Sequence, residues 1–260
     1  IMKLDYFDLI SPLPLDLVGI GRIKSPKLIE IADISYYVYA QYVSCLRMTP
    51  SDYIEDFKIE DPDINLYTKF DLILYDSNFR NMIKNALNFF FVEDFEWFDE
   101  YKSFLYTEEI VRENGDTELL AKGIINSKNY YDVLDIILQR VHITPDNTEV
   151  TDITKIKNKR GLKIYKRLQK VKREFKKTSG GNPDLSLPNI ISSVAVRSLS
   201  LNWINIWDIT IYQLFNEFER LQIIDQYDIA STQVSVWGDK EKKFKFGAWS
   251  SNIYNKNDAE

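Results

Sequence analysis

Apolar residues recur at spacings of three and four along most of this chain and alternate clearly in few places, which commits it to helices first and sheet second. Leu28, Ile31, Ala32, Ser35, Val38, Tyr39 and Tyr42 keep to one helical face. Ser25 stands where an N-cap belongs, Pro26 at the first helical position, and Glu30 near the positive end of the dipole. Thr49-Pro50 repeats the signal and opens a short helix toward Asp56. From Tyr67 to Phe91 the period is again helical, with a break at Asp76-Ser77, where either residue can cap a second helix. That second helix carries Phe79, Met82, Ile83, Ala86, Leu87 and Phe90 on a wholly apolar face, which reads as core. Ser127 is placed to cap a further helix with Tyr131, Leu134, Ile137, Leu138 and Val141 on one stripe and Pro145 beyond its end.

Sheet signals are fewer. "FEWFDEYKSFLY" turns toward aromatic-rich alternation, and Asn114-Gly115 lies between two short apolar runs, a β-hairpin signal. Near the start, Gly19-Ile20-Gly21 is followed by Arg22, Ile23 and Lys24, so the third glycine of a dinucleotide-binding loop is missing. Leu15, Leu17, Ile20 and Ile23 instead suit a short extended segment or hairpin with the glycines at its bends. "KKTSGG" places its glycines after its lysines, the reverse of a phosphate loop, and with "NPDLSLP" it reads as a linker. After Pro188 the pattern predicts a short helix through Ile190, Ile191, Val194 and Ala195. A long one follows from about Trp203 to Ile224, continuing toward Val236, with a frayed end at "NIYNKNDAE".

The expected fold class is therefore mainly α-helical with a small β-hairpin or β-rich insertion, an α+β chain without a doubly wound parallel sheet. An N-terminal helical region, 1–178, carries the β elaboration near 93–126 and a basic helix over 155–177. A C-terminal helical region spans 182–260, and the two are compatible with packing as one domain.

Little in the sequence points to catalysis. A single cysteine, Cys45, and a single histidine, His142, leave no soft-ligand zinc set, and any Ser-His or Cys-His pair would have to use a histidine at a helix end. Glu93, Asp94, Glu96, Asp99 and Glu100 are interleaved with aromatics and read as a solvated face. The expectation is a non-enzymatic protein with no catalytic, cofactor-binding or metal-ligating residues and no cofactor. No run of about 18 apolar residues is present, so no membrane partner is expected and the cytoplasm is the expected compartment.

Charge is uneven. The net charge is −6, yet 155–177 holds twelve Lys/Arg against Glu174, +11, which leaves −17 for the remainder. Lys163, Lys166, Arg167, Lys170 and Arg173 form a candidate basic surface around an apolar stripe of Ile164, Leu168, Val171 and Phe175. A nucleic-acid-binding regulator is the alternative this segment raises, although the acidic body repels phosphate.

The segments "LVGIGRIKSPKLIEIADISYYVYAQYVSCLRMTPSDY" and "LPNIISSVAVRSLSLNWINIWDITIYQLFNEFERLQIIDQYDI" together resemble tail assembly chaperones, tail morphogenesis proteins of phages and prophages of Firmicutes. The resemblance rests on the "G-I-G-x-I-K-S-P" entry, on Asn205 and Trp207 ahead of "TIYQLFNEFERLQ", and on the closing tryptophan of "GAWSSNIY". It implies a protein of the infected host cell that binds the tape measure protein and tail tube subunits during assembly, with homo-oligomerisation open to it. A virion structural component, a connector or tail-completion protein, is the alternative within the same class. Trp203, Trp207, Tyr212, Phe215 and Trp249 are the candidate interaction residues; at helical spacing, the same residues also suit a core.

Overall fold

The computed structural model describes residues 3–57, 67–111, 117–143, 185–240 and 242–254. Mostly helical, with two small antiparallel sheets, it has the expected α+β composition. The basic segment 155–177, with Lys163, Lys166, Arg167, Lys170 and Arg173, and the Asn114-Gly115 turn lie outside the described residues.

Chain order runs from a short helix α1 (Tyr6–Ile10) into a hairpin, β1 (Leu15–Leu17) and β2 (Gly21–Ile23), paired Leu15 to Ile23. Gly19 adopts φ +73° at its tip, the bend for which the sequence supplies a glycine. The hairpin then serves as a splice between other elements. Lys24 N donates to Phe90 O, Val92 N to Arg22 O, and Ile124 N to Gly19 O. At that last junction, a Cβ on Gly123 would lie 2.0 Å from Ile20 O, so only glycine permits the approach.

Helices α2 (Leu28–Ile34) and α3 (Tyr36–Arg47) replace the single helix expected from Ser25. They part at Ser35, whose φ of +75° and ψ of 146° belong to backbone that glycine favours, while its hydroxyl accepts from Val38 N at the start of α3. Ser25 is not the cap. It is buried, and its hydroxyl donates to Arg140 O at 2.8 Å. The start of α2 moves to Lys27, where Glu30 Oε2 accepts from Lys27 N at 2.7 Å and Oε1 meets Lys24 Nζ at 2.8 Å. Helix α4 (Pro50–Phe57) follows Thr49 as expected, with Asp52 closing back on the Thr49 amide and hydroxyl.

The break at Asp76 separates α5 (Lys69–Tyr75) from α6 (Ser77–Phe90). Asp76 Oδ1 accepts from the amides of Asn78 and Phe79, and Oδ2 from Tyr53 Oη at 2.6 Å. Burial pushes this carboxyl upward, but those hydrogen bonds and Arg80 outweigh it and hold its pKa below the ordinary value. The expected face of α6 is core: Phe79, Ile83, Ala86, Leu87 and Phe90 are buried.

Strands β3 (Glu96–Phe98), β4 (Ser103–Val111) and β5 (Thr117–Ile125) form the second sheet, in that order, with a register shift between Tyr106 and Thr107. Helix α7 (Tyr130–Arg140) is buried nearly all round, with Val133, Leu134, Ile136, Ile137 and Leu138 enclosed. Tyr131, expected on its apolar stripe, is exposed, and the buried ring is Tyr130. Nor does Ser127 cap this helix. Asn129 Oδ1 accepts from Asn126 N, Asn126 Oδ1 from Lys128 N, and Asn129 Nδ2 donates to Ile124 O, a turn built wholly from two asparagines.

The C-terminal region holds α8 (Leu187–Arg197) and α9 (Ile211–Trp237). The long helix thus begins eight residues later than expected. Asn202 and Asn205 repeat the turn seen at Asn126 and Asn129: Asn205 Oδ1 accepts from Asn202 N, Asn202 Oδ1 from Ile204 N, and Asn205 Nδ2 donates to Ser200 O. The repeat continues in sequence as Asn-x-x-Asn, a buried residue (Tyr130 or Ile206), an aromatic (Tyr131 or Trp207) and an aspartate. A 3-10 turn over Ile206–Asp208 takes the place of the first turns of the expected helix.

The N-terminal and C-terminal regions share one buried core, from Leu4 through Phe90 and Ile137 to Leu214. Leu28 N donates to Ile209 O and Ile211 N to Pro26 O, so the first amides of α2 and α9 are each satisfied by the carbonyl that precedes the other helix. Thr210 and Gln213 complete a capping box at the root of α9, and Gln213 Nε2 also donates to Ile10 O.

Candidate functional site

The reactive side chains are locally engaged. Cys45 is buried, and burial pushes its thiol up to about 11 against the opposing charge of Lys69, far from a thiolate nucleophile at neutral pH. His142 ends α7 at φ +62°; its ring stacks on Phe215, with centroids 5.2 Å apart, and Nε2 lies 3.5 Å from Glu219 Oε1. It joins α7 to α9. Glu93 accepts from Arg22 N and Nε at 2.8 and 2.7 Å, Glu96 pairs with Lys84, and Asp99 with Arg80 and Trp97 Nε1. Asp94 and Glu100 are exposed. Among the described residues, no three His, Cys, Asp or Glu side chains converge on a site for a metal ion.

Two charged groups on α7 have structural partners. Arg140 is fully buried; its Nη1 donates to Asp8 O and its Nη2 to Leu13 O at 2.7 Å, fastening α1 and the approach to β1. Burial lowers its pKa, and nearby Asp8 opposes that. Asp135 accepts from Gln139 Nε2, and burial raises its pKa.

The expected aromatic interaction residues divide. Trp203 and Trp249 are 54% and 51% exposed. Tyr212 is buried, while Trp207 and Phe215 are partly buried against the core. The structure does not bring the two exposed tryptophans into one contact. Trp203 belongs to the turn after α8, in a stretch of sequence that also exposes Val196, Leu199 and Ile204; Trp249 lies in the segment that returns after α9.

That returning segment builds a groove on the surface. Helix α9 buries only Ile211, Tyr212 and Leu214 at its root, with Phe215, Phe218 and Leu221 packed at the margin of the core. Farther along, it packs against its own continuation. Asp239 accepts from Lys243 N and Phe244 N and so closes a turn. The Phe244 ring meets Tyr227 at 5.4 Å and Phe246 at 5.1 Å. Arg220 Nη1 donates to Trp249 O and Ser251 O, and Tyr254 stacks on Tyr6.

Between helix and segment lies an open groove of about 450 Å³, with Ile223, Tyr227, Ala230, Val234, Phe244 and Ala248 as its apolar lining. Trp237 and Phe246, 72% and 80% exposed, flank it in sequence together with Trp249. Sequence reading missed Trp237, Phe246 and the groove. The available signal was "DKEKKFKFGAW", in which lysines and aromatics interleave directly after a long helix.

Among the described residues, no helix is long and apolar enough to cross a membrane. No curated protein and no solved structure matches the chain. Residues 176–254, less than a third of the chain, match the family model described as the YomV second domain, a phage-associated protein family. The matched stretch contains α8, the second asparagine turn, α9 and the returning segment, so the part of the chain that is similar to this family is the part that carries the groove.

Proposed function

We propose that this protein is a non-enzymatic phage morphogenesis factor that works by binding other proteins, in the manner of a tail assembly chaperone. Its partners on this reading are the tape measure protein and tail tube subunits in the cytoplasm of the infected cell. The observation that carries the reading is the exposed apolar surface of the C-terminal region. Exposed Ile229, Val236 and Trp237 lie on the far part of α9, Phe246 and Trp249 on the segment that returns after it, and Trp203 and Ile204 in the turn before it, all within the phage-related C-terminal region. Exposed apolar and aromatic side chains are the usual means by which one protein captures another.

Co-expression with a tape measure protein tests this. The expected outcome is a soluble complex that co-purifies at fixed stoichiometry; repeated failure to recover either tape measure or tube protein would sink the proposal. Mass spectrometry of purified particles separates the two morphogenetic roles. A chaperone is absent from mature virions, whereas a connector or tail-completion protein is present in fixed copy number.

A further inference from the structure

We infer that the groove between the distal half of α9 and the returning segment is a docking site for an acidic amphipathic helix of a partner protein. The inference rests on the protein-binding reading above and names the chemistry of the partner at that surface.

Shape is the first argument. Ile223, Tyr227, Ala230 and Val234 line one side of the groove at helical spacing, over a rise of roughly 17 Å at 1.5 Å per residue. Phe244 and Ala248 line the other. A linear apolar trough of this kind suits the i, i+3, i+4 and i+7 side chains of a docked helix. The Tyr227–Phe244 ring contact joins the two sides into one apolar floor, and the Asp239 turn and the two Arg220 hydrogen bonds hold the segment against the helix.

Charge supplies the second argument and selects the occupant. The turn beside the groove carries Lys240, Lys242, Lys243 and Lys245 against Asp239 and Glu241, a net charge of +2. The Asp239 carboxylate is already engaged with two backbone amides. Lys243 and Lys245 line the groove itself, while Lys240 and Lys242 are exposed next to it. An apolar floor with a basic margin complements a helix with an apolar stripe and acidic flanks, and it disfavours one with basic flanks. A single-stranded nucleic acid would share the charge preference but asks for stacking platforms along its path, and much of this floor is aliphatic.

The full chain can be titrated with a fluorescent designed helical peptide bearing leucines at i, i+3, i+4 and i+7 and glutamates on both flanks. A lysine-flanked peptide of the same apolar pattern and an oligo-dT strand serve as comparisons. The expected result is saturable binding of the glutamate-flanked peptide, at least tenfold tighter than the lysine-flanked one and weakened by salt. A K240E/K242E/K245E variant changes only exposed side chains, so its fold should survive; it should lose about tenfold affinity for the glutamate-flanked peptide and gain for the lysine-flanked one. A230W, which fills the floor, should weaken both peptides at unchanged circular dichroism.

Equal binding of the two peptides, tighter binding of oligo-dT, no binding, or self-association at the groove that the charge reversal abolishes would each overturn the inference. If both variants still co-purify with a tape measure protein as the wild type does, the groove is refuted and the proposed function stands. If no variant and no wild type co-purifies while the peptide binds as expected, the reverse holds.

Discussion

Helices α7 and α9 solve opposite problems. The shorter buries eight of its 11 residues, including an arginine and an aspartate, while the longer, at 27 residues, buries three. Helix α7 is held by tertiary enclosure, as most helices in proteins are, since propensity alone leaves a helix of that length marginal in water. Helix α9 extends roughly 40 Å by its rise per residue, rooted at one end by a cap and a backbone exchange with α2. Its far half packs against its own returning chain. One helix is a structural pillar, and the other is a surface held in place from its base.

The contrast can be broken by substitution, beginning where the effect should be largest. Ile137→Ala removes a fully buried side chain from α7 and is expected to cost about 2–5 kcal/mol, read from urea denaturation. A loss under about 1 kcal/mol would deny α7 its role. Thr210→Ala deletes the hydroxyl that accepts from Gln213 N at the root of α9. The expected loss is roughly 1–2 kcal/mol, with Thr210→Ser retaining most of the stability.

Within the body, Ser35→Gly tests whether packing has imposed an unfavourable backbone. Glycine accepts φ +75° freely and sacrifices only a few tenths as a cap, so the melting temperature should rise, with a net gain of about 1 kcal/mol. A fall would mean that the Ser35 hydroxyl outweighs the strain. Smallest of all, the double change Ile229→Ala with Val236→Ala touches two exposed positions on α9 and should leave stability within about 0.5 kcal/mol. A larger loss would show that these two side chains carry packing that their exposure denies.

Local chemistry was legible in the sequence at several points where the deciding groups are neighbours. The Asp76 break, the Thr49-Pro50 start, the glycine-bent hairpin and the apolar face of α6 all depend on residues within a turn or two of one another. Legibility failed where a distant partner decided the outcome, or where polar side chains closed a local turn in place of a helix. The Ser25 hydroxyl is drawn to Arg140 O, across 115 positions, which leaves Lys27 to start α2. Trp203 and Trp207 continue a helical period, yet the side chains of Asn202 and Asn205 satisfy the local backbone in a turn and postpone α9 to Ile211. Of the aromatic candidates, spacing alone could not separate buried Tyr212 from exposed Trp249, because the segment that distinguishes them folds back from beyond the helix.

The exchange of hydrogen bonds between Pro26–Leu28 and Ile209–Ile211 also sets an order of events. It closes a ring of about 180 residues, whose closure entropy alone is on the order of 5 kcal/mol. Such a contact is slow to form and has little to offer until the interior between its ends has condensed. The root of α9 is therefore expected to lock late in folding, after the shared core. In hydrogen exchange, the Leu28 and Ile211 amides would then gain protection together, as two readings of one closing event.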